Sequence, residues 1–246
     1  MRIIISPAKK MITDDGLPWK DLPVFLKQAE ELKAYMQGLT YKEAKALWKC
    51  NDKLAQLNFE RFRDMNLYCN LSPAILSYEG IQYQYMAPGV FESCSMKYIQ
   101  ENLRILSGFY GILKPFDGIT PYRLEMQAKI YIKGVKDLYE YWGDSIYNEV
   151  VDGDNIILNL ASKEYSKCIE NYLKPSDKFI TCIFGESVNG KIVQKATPAK
   201  MARGEMVRYL AEREVKNPEE AKNFNLLGFM YNDDLSSETE YVFLKS

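Results

Sequence analysis

The chain has 246 residues, 47% of them hydrophobic and 26% charged, with a formal net charge of −1 and no histidine. This composition describes a globular chain long enough to bury a sizeable core, and it excludes a uniformly basic nucleic-acid coat. The missing histidine removes Ser-His-Asp and Cys-His catalysis and the H-E-x-x-H zinc sites together.

No stretch of about 18 apolar residues occurs, so no membrane-spanning helix is expected. The opening "MRIIISPAKK" is too short for a signal-peptide core, and the expectation is a cytoplasmic protein. Cys50, Cys69, Cys94, Cys168 and Cys182 form an odd set without C-x-x-C spacing. They read as scattered thiols of a reducing compartment; a peroxide-sensing thiol would need an exposed, acidic cysteine among them. No acidic run has calcium-loop spacing, and neither a metal nor a cofactor is expected.

"RIIIS" at 2–6 is an apolar run that fits a fully buried strand. Val24, Phe25, Gln28, Leu32 and Met36 then recur at helical spacing up to Gly38. "TYKE" at Thr40–Glu43 is a capping box for a second helix, and Asn51 caps a third running through Phe59, Phe62 and Met65. Ser72-Pro73 reads as another helix start, and a further helix is predicted from about Ser95 to Ser107. Leu124, Met126, Ala128 and Ile130 alternate as in a strand. "KDLYEYWGDSIYNEVV" is helical in period despite Gly143. "NIILNLA" at 155–161 is a second apolar strand leading into a helix capped by Ser162. "KFITCIFGES" and "GKIVQ" flank Asn189-Gly190, a strong hairpin signal. Thr197-Pro198 opens a basic helix, and two short strands, around "LGFMY" and "TEYVFLK", close the chain. Intermixed helices and strands without a linker give an α+β (mixed α/β) fold in one domain over residues 1–246, with a small mixed sheet and many helices.

Charge is distributed unevenly along this chain. Lys191, Lys195, Lys200, Arg203, Arg208 and Arg213 are opposed only by Glu205 and Glu212, whereas the segment after Asn217 is acidic. Three strand-to-polar-turn junctions carry chemistry-bearing residues: Ser6, Lys9 and Lys10; Asn159, Ser162, Lys163, Glu164 and Tyr165; and Lys195 with Lys200 and Arg203. Helix N-termini expose unpaired N–H groups that favour phosphate or carboxylate, so convergence of these turns would make an anion pocket. If they do not converge, Ser162 and Thr197 are ordinary caps. The stretch "LRILSGFYGILKP" (103–115) sets Gly108 and Gly111 around Phe109-Tyr110, with Arg104, Lys114 and Arg123 nearby. It can be read as a phosphate-gripping hairpin, as a G-x-x-G clamp, or as a glycine stop followed by an aromatic core plug.

"IISPAK", "LRILSGFYGILKPFDGITPYRLEM", "DLYEYWGD", "NLASKEY", "KMARGEMVRYL" and "LGFMYN…EYVFLK" occur in this order along the whole chain. In them the sequence closely resembles the YaaA (DUF328, UPF0246) family of bacterial peroxide stress proteins. The resemblance implies a compact α+β domain with a helix-hairpin-helix-like element beside a cationic cleft. It also implies DNA binding, and protection from hydrogen peroxide by limiting free iron. The matching positions are Lys9, Arg104, Gly108, Gly111, Arg123, Asn159, Ser162, Lys195, Arg203 and Gly204. The expected partner is DNA, double-stranded and read with little sequence specificity. The alternative is an enzyme acting on a nucleotide or other phosphorylated small molecule in the same cleft, with Lys9 or Glu164 as acid/base.

Overall fold

The computed structural model describes residues 1–14, 16–151 and 155–245. It opens with β1 (Arg2–Ile5) and β2 (Lys10–Met11), followed by α1 (Leu26–Gln37), α2 (Tyr41–Trp48) and α3 (Asp52–Arg63). Short elements follow: β3 (Ser72–Pro73), α4 (Ala74–Ser77), β4 (Tyr78–Glu79) and α5 (Ile81–Met86). The middle holds α6 (Ser93–Asn102), β5 (Leu103–Ser107), β6 (Gly111–Leu113), β7 (Gly118–Ile119), α7 (Leu138–Trp142) and α8 (Ser145–Val150). The last part contains β8 (Ile156–Leu160), α9 (Lys163–Glu170), β9 (Lys178–Val188), β10 (Lys191–Val193), α10 (Ala196–Glu212), β11 (Phe229–Tyr231) and β12 (Glu240–Lys245).

The main sheet runs β11-β12-β9-β8-β1-β5-β6, with β10 attached to β9. Its centre, β12-β9-β8-β1-β5, is all parallel, while β6 and β11 close the two edges antiparallel. Ile3, Ile4 and Ile5 of β1 are fully buried, as expected of a central parallel strand covered on both faces. From β1 the chain first adds β5 on one side, then crosses to β8, β9 and β12 on the other. The order therefore reverses between β1 and β8, and the crevice outside their carboxyl ends is where open α/β sheets hold ligands.

Several local readings are realised. Thr40 and Glu43 form the reciprocal capping box of α2, and the Asn51 side chain accepts from the Leu54 N–H. Asn189 and Gly190 both take positive φ between β9 and β10, as a tight two-residue hairpin requires.

Others are corrected. The helix predicted up to Ser107 ends at Asn102, and "LRILS" is instead β5, every residue of it buried. Its i, i+3 apolar spacing fits either element, and pairing to β1 decides. The alternating stretch 124–130 forms turns and irregular chain, because its apolar side chains plug the core without a neighbouring strand to pair with. The aromatic helix divides at Gly143, where φ is +51°, into α7 and α8. Ser72-Pro73 pairs with Gly118–Ile119 as β3, and the short helix α4 opens directly after it, with Pro73 rather than Ser72 at the cap position.

Candidate functional site

Five chain segments meet at the carboxyl edge of β1 and β8. They are Ser6–Lys10 after β1, Glu79–Tyr83 at β4 and α5, Tyr122–Glu125, the start of α9, and Lys200 with Arg203 on α10. They enclose a cavity of about 410 Å³. The strand β1 reaches the rim because it is short and ends in Ser6-Pro7, whose proline cannot extend the ladder. Ser6 then ties the two central strands together: its Oγ accepts from the Ser162 N–H at 2.8 Å and donates to the Ser162 Oγ at 3.2 Å. The Tyr83 hydroxyl donates to the Ser6 carbonyl at 3.1 Å, fixing α5 to the same turn.

Glu125 organises one wall. Its two oxygens take the Lys9 ammonium at 2.7 Å and the Arg123 guanidinium at 2.9 Å. The Trp48 indole donates to the Arg123 carbonyl at 2.6 Å, holding this loop against α2. At the rim Lys10 pairs with Glu79 at 2.8 Å. Glu164 also lines the cavity, and burial raises its carboxyl above the ordinary glutamate range. The backbone of Glu164 is anchored by the Tyr139 hydroxyl at 2.7 Å.

A second concavity of about 780 Å³ adjoins the first and shares Lys9, Arg123 and Glu125 with it. It adds Lys49 and Lys129, and the aromatic side chains of Tyr35, Trp48, Tyr131 and Tyr139. Tyr131 is 77% exposed. The two concavities form one trough lined by seven lysines and arginines and four glutamates, in a chain whose formal charge is −1.

The expected site residues separate into two groups. Lys9, Arg123, Ser162 and Arg203 are brought together around the cavity. Lys195 is instead bound to Glu186 at 2.6 Å beside the β9–β10 hairpin. Asn159 is buried in β8, donates to the Thr181 hydroxyl and accepts from the Ala161 N–H. It faces another concavity, which shares Arg203 with the first and also holds Lys163, Glu170, Asp177 and Glu240. Arg104 is 4% exposed and spends its guanidinium on the carbonyls of Gln100, Glu101 and Leu103.

The three glycines serve packing. An added Cβ at Gly108 would lie 2.5 Å from the Leu124 carbonyl, and one at Gly204 would lie 2.1 Å from the Gln82 carbonyl. Gly111 has φ +73° and is pressed against Phe25 and Trp142. The Gly108–Gly111 turn joins two antiparallel strands, β5 and β6, not two helices. Its amides are already engaged: Phe109 and Tyr110 both donate to the Ser107 Oγ. The helix-hairpin-helix expectation therefore does not apply to this segment, and the aromatic-plug reading does.

Sequence reasoning passed over Gln82 and Tyr83, which carry no motif of their own; Tyr122 and Glu125 flank Arg123 in "PYRLEM", where the readable signal is a carboxylate placed to pair with a cation. The thiol alternative loses its two buried candidates. Burial pushes both Cys168 and Cys182 up to about 12, so neither supplies a thiolate. Among the described residues no group of three or more acidic or cysteine side chains is placed to hold a metal.

A family model described as "Peroxide stress protein YaaA" matches residues 1–235. A UPF0246 protein of Lachnoclostridium phytofermentans is 57% identical over 100% of this chain and 96% of its own length. One from Agathobacter rectalis is 56% identical over 99% and 98%, and one from Ligilactobacillus salivarius 53% identical over the full length of both. With the match running through every element that builds the trough, this chain belongs to the YaaA family of peroxide stress proteins.

Proposed function

We propose that the protein serves the peroxide stress response by gripping the phosphate backbone of DNA in the trough at the carboxyl edge of the sheet. The observation that carries this reading is the local excess of positive charge, seven cations against four carboxylates, in a protein that is acidic overall. Phosphate is the natural complement of such a surface, and the exposed Tyr131 ring along its wider half, with the half-buried Tyr35 and Tyr139 beside it, offers a stacking face to bases. The backbone grip carries little sequence information, so duplexes of different sequence bind alike. Among the described residues no group of three or more acidic or cysteine side chains is placed to hold iron, and the limiting of iron-dependent damage is indirect, through the DNA that is shielded.

Lys49, Lys200 and Arg203 face the trough without a carboxylate in ion-pair distance among the described residues. Three neutralised phosphates give a slope of log K against log salt near −3, a loss of about 40-fold between 50 and 200 mM salt. A fluorescence-anisotropy titration of a short duplex across that range checks this. A salt-independent affinity, or no binding at the low end, overturns the reading.

A second reading is favoured by one feature of the inner cavity. Its volume of about 410 Å³ suits a nucleotide-sized ligand. Glu164, whose carboxyl burial raises above the ordinary glutamate range, would then serve as acid or base on a small phosphorylated substrate.

A further inference from the structure

The cavity's positive charge is not evenly available. Lys9 and Arg123 share Glu125, and Lys10 is held by Glu79. What is left without a counter-ion lies on α10: Lys200 and Arg203, three residues apart on one helical face and both lining the cavity. Arg203 is half-buried, its Nε is shielded from solvent without a hydrogen-bond partner, and among the described residues no carboxylate reaches it. Its nearest electrostatic neighbour is the Cys182 thiol, which burial keeps neutral. A desolvated guanidinium without an anion is costly unless something charged arrives to meet it.

Uncommitted donors surround the same spot. Gln82 lines this wall, is 7% exposed, and its Nε2 has no acceptor. At the start of α9, Ser162 provides no side-chain cap; its hydroxyl accepts from the Ser6 Oγ and lines the same cavity, its own proton without an acceptor among the described residues.

Resting on the DNA reading above, we propose that the inner cavity is a subsite for a phosphomonoester, the terminal phosphate of a strand, and not for the bridging phosphodiester. The charge count decides between them. A bridging phosphate carries one negative charge, whereas a monoester carries between 1.5 and 2 near neutral pH, its second pKa being about 6. The five cations lining the cavity against Glu79, Glu125 and Glu164 leave a surplus of two positive charges, which complements the second species. Shape agrees: a recess walled by Tyr83, Tyr122 and Tyr165 admits a chain end more readily than the middle of a strand. The same chemistry could be presented by a free mononucleotide, and the two sources are separable.

The test is calorimetric titration of the full chain with one oligonucleotide in three forms: 5′-phosphorylated, 3′-phosphorylated and without terminal phosphate. Inorganic phosphate, a 5′-mononucleotide and the corresponding nucleoside are run alongside. At least one phosphorylated end should bind about tenfold tighter than the unphosphorylated strand, and the advantage should fade below pH 6 as the monoester takes up its proton. Lys200→Gln, at an exposed position, should cut the advantage several-fold, and Arg203→Gln should abolish it. Circular dichroism confirms that each variant is folded, and the exposed Lys200 variant carries the test if the other is not. Equal affinity for all three strands overturns the monoester subsite while leaving DNA binding intact. Binding of the mononucleotide but not of the nucleoside or any strand upholds the subsite and overturns the DNA reading instead. Phosphorylated ends that bind equally well to both variants and the parent protein place the preference elsewhere and reject the assignment.

Discussion

Replacing Gly204 with alanine should lower the stability of the protein by about 3 kcal/mol, with the melting temperature falling by about 6–12 °C for a chain of this size. The cause is backbone against backbone. A Cβ at position 204 would lie 2.1 Å from the Gln82 carbonyl oxygen and 3.0 Å from both the Gln82 carbonyl carbon and the Met86 nitrogen, all on α5. No side-chain rotamer relieves such contacts, so α10 must move off α5. The consequence reaches the site, because Gln82 and Tyr83 on α5 and Arg203 beside Gly204 line opposite parts of one cavity wall. Loss of nucleic-acid affinity in Gly204→Ala is therefore expected together with loss of stability. Gly89→Ala is the control, since a Cβ there meets nothing within 4 Å and its φ is not positive; its melting temperature should stay within about 1–2 °C of the parent. Equal stability of Gly204→Ala and the parent in a thermal scan would show that the helices do not depend on this contact.

Gly204 also illustrates what the sequence makes legible. The motif "KMARGEMVRYL" sets it directly after Arg203, but it does not say whether the glycine touches a ligand or a helix. Only the packing of α10 on α5 does. Gly108 and Gly111 are the same case: two glycines beside cations look like an opened phosphate grip, and in the fold each is a close approach to neighbouring core residues. Local signals with a self-contained geometry were readable directly. The Thr40–Glu43 capping box, the Asn51 cap, the Asn189-Gly190 hairpin and the buried run of β1 each depend on residues within one turn or strand. What could not be read was pairing at a distance. Whether "LRILS" ends a helix or forms a strand depends on β1, a hundred residues earlier.

The candidate site follows the same division. Lys9, Ser162 and Arg203 stand at strand and helix ends, where polar residues after an apolar run announce an exposed edge. Their convergence rests on the strand order, which places β1 beside β8 and reverses between them. Lys195 and Arg104 had the right charge in the right neighbourhood of sequence, and failed because the chain supplied Glu186 to one and three carbonyl oxygens to the other. Ion pairing redistributes charge in a way that counting cannot anticipate: Glu125 engages two of the expected cations, and the cavity's cations without an ion-pair partner among the described residues stand on α10.

Asp117 gives the largest pH effect expected of the fold. It is 3% exposed, in the turn between β6 and β7, where its Oδ2 accepts from the Lys114 N–H at 2.9 Å. Burial raises its carboxyl to about 7; the Lys114 hydrogen bond, the Lys114 charge and Arg104 oppose the rise, and Asp21 adds to it. In the unfolded chain an aspartate titrates near 3.9. Between these values the folded protein holds a proton that the unfolded chain has lost, so stability is full below about pH 4 and falls as pH rises through 7. Three pKa units correspond to about 4 kcal/mol over that window, at about 1.36 kcal/mol per unit. Asp117→Asn keeps an acceptor for Lys114 and cannot ionise. Its stability relative to the parent should be near zero at pH 4.5 and rise to a gain of about 3 kcal/mol at pH 8, because the parent alone must then bury a carboxylate. Urea unfolding of both proteins at intervals from pH 4.5 to 8 measures the difference, in which the other titrating groups cancel. Two curves that stay parallel across the range would mean that Asp117 is already ionised in the fold, with Arg104 and Lys114 compensating its burial in full.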